Sequence, residues 1–166
     1  PCIMDFKEID ANNISMWLSN LGSFAWDLST GEPGLEYPIG SGKTVVFASG
    51  IWVGAKVSGT IRVAVAEYSM EYVPGIMIDS TFAPDEPRFR IYKIKPGDTP
   101  GSNPDYAEWP VEDGAPVDSL GNPLILGKQT LWCVYNDADT SAHTNVAGST
   151  LPLGIEIQQT AFAYNQ

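Results

Sequence analysis

Histidine is almost missing from this chain: His143 is the only one. A zinc centre of the multi-histidine kind is excluded, and any Ser-His-Asp triad would depend on that single residue. Cations are scarce as well. Nine Lys and Arg stand against 20 Asp and Glu, a net charge of -11, with the acids spread along the chain. Phosphate backbones and anionic headgroups are repelled by such a surface, so no nucleic acid partner and no membrane insertion are expected. The same acidity also serves plain solubility. No apolar run approaches the roughly 20 residues that span a bilayer as a helix. The chain has no repeat of fixed period, no low-complexity tract and no G-x-S-x-G nucleophile elbow.

Cysteine is limited to Cys2 and Cys133. In an exported protein the two can join, closing a loop of about 130 residues worth about 3–5 kcal/mol in the chain-entropy model. The alternative is a buried Cys133 beside Trp132 and an unpaired Cys2. The sequence opens at Pro1 without an apolar leader, which reads as a mature product or as the ordered part of a longer secreted protein.

What is plentiful points to β structure. Five Trp, seven Tyr and six Phe accompany 16 Gly and 13 Pro in 166 residues, and aromatic strands joined by Gly and Pro turns build β domains. The length suits one domain, residues 1–166. Near the start, ANNISMWLSNLG offers Asn12 or Asn13 as a cap, Ile14, Trp17, Leu18 and Leu21 at helical spacing, and Gly22 as a stop, which predicts a short helix. Strands are expected over Lys43–Val53 with a bulge at Ser49-Gly50, over Gly59–Ser69 after a tight Ser58-Gly59 turn, over Phe89–Ile94 with burial on both sides or at a sheet edge, over Gln129–Tyr135 and over Leu153–Tyr164. Between residues 95 and 129 lies a long Pro, Gly and Asp segment in which DYAEW can form a helical turn, and a loop of that length is expected to be functional or mobile. Trp52 and Trp132, inside strands, are expected in the core.

The stretch PIGSGKTVVF contains half of a phosphate-binding loop. Counting back from Gly42-Lys43-Thr44, the required first glycine falls on Tyr37, and TVVFASGIWV after it suits a strand instead of a helix. GSGKT is therefore read as a turn into a strand, with Lys43 facing solvent.

Three constellations are candidate sites. In NDADTS, Asp137, Asp139 and Ser141 alternate after a strand, a spacing that can converge oxygens on calcium. The calcium-loop pattern is incomplete, with Ala142 and Gly148 where glycine and glutamate belong, so ligands are needed from elsewhere, and Asp113 and Asp118 can supply them if the loops meet. The other reading is Asx-turn chemistry, with no cofactor at all. Asp27, Glu67, Asp105, Glu108, Asp113 and Glu156 include the makings of a glycosidase-type carboxylate pair, against the reading that they solvate the surface. Trp26, Tyr37, Tyr106 and Trp109 lie in Gly and Pro-rich segments and can form a platform for sugar rings, or can cover the ends of the core. Asn13-Ile14-Ser15 is an N-glycosylation acceptor pattern.

Taken together, NNISMWLSNLGSFAWDLSTGEPGLEYPIGSGKTVVFASGIWVGAKV, RFRIYKI, DYAEWPVEDGAPVD, QTLWCVYNDAD and PLGIEIQQTAFAYN resemble the N-terminal region of large exported bacterial surface proteins that end in a type IX secretion sorting domain. The resemblance implies an extracellular, cell-surface location and carries no catalytic or ligand residue. That group continues into further β structure and a sorting domain, so this chain is expected to be a fragment or the ordered part of a longer protein. The expectation is an antiparallel β-sandwich of jelly-roll type with one short N-terminal helix and long loops. The expected function is that of a non-catalytic structural or interaction module that contacts other protein subunits, copies of itself among them. A carbohydrate-binding module is the alternative, and a fragment of a carbohydrate-active enzyme the second.

Overall fold

Alternating side chains in QTLWCVYN and EIQQTAFA produce the two longest ladder partners in the protein, seen in a computed structural model that describes residues 3–79, 81–83 and 86–165. In chain order the strands are β1 (Phe6–Ile9), β2 (Ser15–Ser19), β3 (Ser23–Phe24), β4 (Leu35–Glu36), β5 (Thr44–Val46), β6 (Ser49–Gly50), β7 (Trp52–Val57), β8 (Thr60–Val65), β9 (Val73–Pro74), β10 (Met77–Ile78), β11 (Thr81–Phe82), β12 (Tyr92–Ile94), β13 (Gln129–Asn136) and β14 (Glu156–Ala163). One short helix, α1 (Pro104–Ala107), accompanies them. The fold is all-β, and every ladder between strands is antiparallel.

One sheet runs β5-β4-β2-β3-β6, with β1 on the other side of β2; another runs β12-β13-β14, with β9 also on β13. β7–β8 and β10–β11 are separate two-stranded ladders. All eight residues of β13 are buried. Its odd-numbered side chains Leu131, Cys133 and Tyr135 enter a cluster with Ile9, Leu18, Ala64, Tyr72 and Ile91. Trp132 and Val134 enter a second cluster with Phe89, Tyr92, Ile94, Trp109 and Ala115. The strand lies between two cores. The segment 95–128 covers the second of them, with α1 capped by the Asn103 side chain accepting from the Asp105 amide at 3.0 Å.

The expected N-terminal helix is a strand instead. Residues 15–19 form β2, paired with β1 from Phe6↔Ser19 to Ile9↔Met16. The Asn12 side chain accepts from Ile14 N at 2.9 Å, which makes an Asx turn in place of a helix cap. SMWLS satisfies both periods: Met16 and Leu18 face the first core, and Trp17 meets the Phe6 ring edge-on at 5.5 Å on the other face. Pairing with β1 decides between the two periods.

Other boundaries also shift. Residues 43–53 break into β5, β6 and the start of β7, because β5 and β6 pair with different neighbours, β4 and β3. The Ser58-Gly59 turn forms as expected, both residues having positive φ (49° and 88°) as a type I′ hairpin requires. Two-sided burial around β12 holds: Ile91 faces the first core, Tyr92 and Ile94 the second. Trp132 is core, but Trp52 is 57 % exposed, because β7 belongs to a two-stranded ladder whose outer face meets solvent.

The two tryptophans therefore separate cleanly in stability. Trp132→Ala is expected to cost about 3–5 kcal/mol and Trp52→Ala about 0.5 kcal/mol or less, measured by urea unfolding followed by far-UV circular dichroism.

Candidate functional site

Asp137 follows β13 and is fully buried. Its carboxylate accepts from Leu153 N at 2.6 Å and Ile155 N at 2.7 Å, so both oxygens tie the segment that leads into β14. Asp139 turns the other way and accepts from the Ser141 amide and hydroxyl at 2.9 and 2.7 Å, starting a 3-10 turn over Thr140–Ala142. Asp118 accepts from Leu120 N and Asn122 N within its own loop, and Asp113 pairs with Arg88 at 2.6 Å. Each carboxylate of the candidate calcium set is engaged locally, and among the described residues no group of three or more His, Cys, Asp or Glu side chains is placed to share a metal ion.

The imidazole of His143 lies between two buried carboxylates, with Nδ1 3.7 Å from Glu71 Oε2 and Nε2 3.6 Å from Asp137 Oδ2. Nε2 also lies 2.9 Å from the Asp137 carbonyl, while Nδ1 has no hydrogen-bond partner among the described residues. Glu71 accepts from Val65 N and Asn145 N at 3.0 and 3.2 Å. This arrangement locks the 137–155 connection onto the end of β8. Glu71 carried no signal in the sequence, since a lone acid before a buried tyrosine reads as surface.

Of the six acids proposed for a carboxylate pair, Asp105 and Glu108 meet on one guanidinium, that of Arg90, and the other four hold separate partners. Asp27 caps its own turn through Ser29 and Thr30, and Glu156 accepts from Met77 N at 2.9 Å. Asp105 sits under the 95–128 cover. Burial pushes its carboxyl up, but the Lys7 ammonium at 2.9 Å, the Lys93 amide and the Arg90 guanidinium at 3.0 Å outweigh burial and hold it below the usual range. Glu108 shares the same guanidinium at 3.1 Å. Asp113 behaves oppositely: burial lifts its carboxyl above the usual range against the pull of Arg88. Glu67 is exposed and accepts from Asn145 Nδ2 at 3.3 Å.

The four aromatics proposed as one platform occupy three places. Trp109 is buried in the second core, its Nε1 donating to Pro116 O at 2.9 Å, and Tyr106 packs beside that core. Trp109 and Tyr106 thus take the covering role, the second of the two readings of these rings. Trp26 meets Tyr68 edge-on at 5.4 Å. Tyr37 is exposed on the rim of a groove of about 850 Å³ between β2, β4 and β14, where Phe162 and Tyr164 are also exposed. The groove is lined by Ile9, Ile14, Met16 and Leu35 along with these rings, and no charged side chain lines it.

Thr44 begins β5, and Lys43 is exposed, as the turn reading of GSGKT requires. The Gly42 amide donates to the Glu36 carboxylate, so an acid of the chain itself takes the position an anion would need. Cys133 is a free thiol enclosed in the first core, and burial pushes its pKa up. Cys2, the other half of the proposed bridge, lies outside the described residues.

Comparison with known proteins finds no matching family, no match among curated proteins and no match among solved structures.

Asp137→Asn replaces an acceptor with a donor against one of two buried amides and is expected to lower stability by about 2–3 kcal/mol. Thermal melts of the wild type with and without EDTA test the calcium reading: an unchanged midpoint argues against it. Asp105→Asn is expected to cost about 2 kcal/mol at pH 7. The folded-state pKa of Asp105 is depressed below the ordinary value of 3.8. Its contribution is therefore complete above that value and is lost as pH falls below it. Urea unfolding at pH 7 and pH 2.5 should show the difference between variant and wild type shrinking at the lower pH.

Proposed function

We propose that this chain is a non-catalytic, extracellular interaction module that self-associates through the open edge of β14 and the groove beside it. The observation that carries the reading is the groove: a largely apolar channel with Asn12, Asn13 and Thr160 but no charged side chain in its lining, with three exposed aromatic rings, set in a chain of net charge -11. Two copies of an acidic protein repel wherever their charged surfaces meet, and a patch without charges is where they can approach.

The strand edge supports the same reading. Among the described residues β14 ends its sheet and pairs only with β13, apart from an isolated bridge of Ala163 to Gly127. Unpaired strand edges are templates for another strand. An antiparallel two-fold pairing centred on Gln159 sets Glu156 opposite Phe162 of the second copy, so the one acid of β14 does not face itself. Parallel pairing would stack the two Glu156 side chains. The extracellular placement rests on the resemblance of the chain to exported surface proteins and on its acidity.

Sedimentation equilibrium tests this. The wild type should show a concentration-dependent dimer. Phe162→Glu, which sets like charges opposite each other twice, should weaken it about tenfold or more, while Phe162→Lys should retain it. A wild type that stays monomeric at millimolar concentration, or Glu and Lys variants that behave alike, would reject the pairing.

A further inference from the structure

A second surface feature lies away from the groove, at the open end of the β7–β8 hairpin. Trp52↔Val65 is the last pair of that ladder; beyond it Ala66 N donates to Ile51 O at 3.0 Å before the chain leads off to Tyr68. A pocket of about 310 Å³ sits there, with Trp52 and Tyr68 among its walls and Ser49 and Glu67 as its polar side chains. Gly50 allows its floor: a Cβ at this position would come within 2.1 Å of Ala66 O, so only glycine lets the two backbones approach.

Both rings are exposed and both are held. Trp52 is 57 % exposed, and its Nε1 donates to Ala66 O at 3.2 Å, which fixes the orientation of the indole. Tyr68 is 62 % exposed and braced edge-on by Trp26 at 5.4 Å and by Phe47 at 6.4 Å. Exposed aromatic rings lose rotamer freedom and contact water when fixed this way, without burying themselves in return. A ligand that stacks on them recovers that surface.

We infer that this pocket is a subsite for a neutral glycan of β-glucan type, with Trp52 and Tyr68 stacking on the apolar faces of the sugar rings and Glu67 and Ser49 accepting hydroxyl hydrogens. The equatorial hydroxyls of β-linked glucose leave both ring faces as flat C–H surfaces, which suit aromatic planes. The carboxylate of Glu67 and the net charge of -11 repel uronate-containing polysaccharides. An ammonium cage is the competing use of rings beside an acid, but it needs rings closing round a small cation, and here they flank an open space of about 310 Å³.

Affinity electrophoresis of the folded chain tests the assignment, with native gels containing laminarin, hydroxyethyl cellulose or alginate. The wild type should be retarded by at least one of the two neutral glucans and not by alginate. Trp52→Ala and Tyr68→Ala should each reduce that retardation about tenfold, and Trp52→Phe, which keeps a ring, should retain part of it. Circular dichroism melts confirm that the variants fold. Phe162→Glu should bind glucan like the wild type, so failure of this inference and failure of self-association are read separately. The inference is overturned if neither glucan retards the wild type, if folded Trp52→Ala and Tyr68→Ala are retarded like it, or if tetramethylammonium quenches tryptophan fluorescence while both glucans leave it unchanged.

Discussion

A strand whose eight residues are all buried must be covered on both faces, and β13 is such a strand. The first face is covered by β1, β2 and the end of β8, which bring Ile9, Leu18 and Ala64 onto Leu131, Cys133 and Tyr135. The second has little regular structure over it. Trp109, Ala115 and Ile125 reach Trp132 and Val134 from a segment whose only α-helix is four residues long. Burying one large aromatic ring contributes roughly 4–6 kcal/mol as an upper bound, so the ring cluster of Tyr92, Trp109 and Trp132, with centroids 6.1–6.5 Å apart, can hold this cover in place.

Covering a strand twice leaves polar groups at its ends with no access to water, and the protein meets this with side chains that accept or donate more than once. Asn136 donates to Gly75 O at 2.8 Å, and Asp137 receives two amides of the segment before β14. Asn20, also fully buried, accepts from Asp5 N and donates to Ile3 O and Phe89 O, which joins the N-terminal segment to the 3-10 turn over Pro87–Phe89. At the rim of the second core, Asp105 collects Lys7, Arg90 and the Lys93 amide, so that β1, β12 and α1 converge on one carboxylate. A buried acceptor left without its donors costs about 1–3 kcal/mol, which makes these residues as necessary to the fold as the apolar ones.

How much of this could be read beforehand follows from whether a signal is local. The Ser58-Gly59 turn and the two long strands carry their own turn chemistry and alternation, and they appear where the sequence placed them. The GSGKT turn was legible for the same reason: the missing glycine and the β-branched residues after it are neighbours in the chain. SMWLS was not legible, because Met16, Trp17 and Leu18 suit a helix face and a strand equally and the deciding partner, FKEI, lies outside the window. The environments of Trp52 and Trp109 were not legible for a similar reason: Trp52 reads as core, and Trp109 reads as either a platform or a cover. In the fold, β7 has solvent on its outer face and the 95–128 segment lies over Trp132. The resemblance to exported proteins offered no site residue, so it could not correct either assignment.

The long segment was the natural place to look for function, since loops of that length are commonly binding or mobile elements. Trp109, Ala115 and Ile125 are instead committed to covering β13, while Asn103 and Asp98 close a turn at 2.7 Å and Asp113 holds Arg88. A surface engaged in this way cannot also rearrange round a ligand without uncovering the strand beneath it. The two proposed contacts lie instead at strand margins, where backbone and rings are not needed to bury β13. One such margin is the outer edge of β14 with its uncharged groove, and another is the open end of the β7–β8 ladder with its braced rings. The two margins differ in charge: no charged side chain lines the groove beside β14, whereas Glu67 gives the second an acceptor for hydroxyl groups.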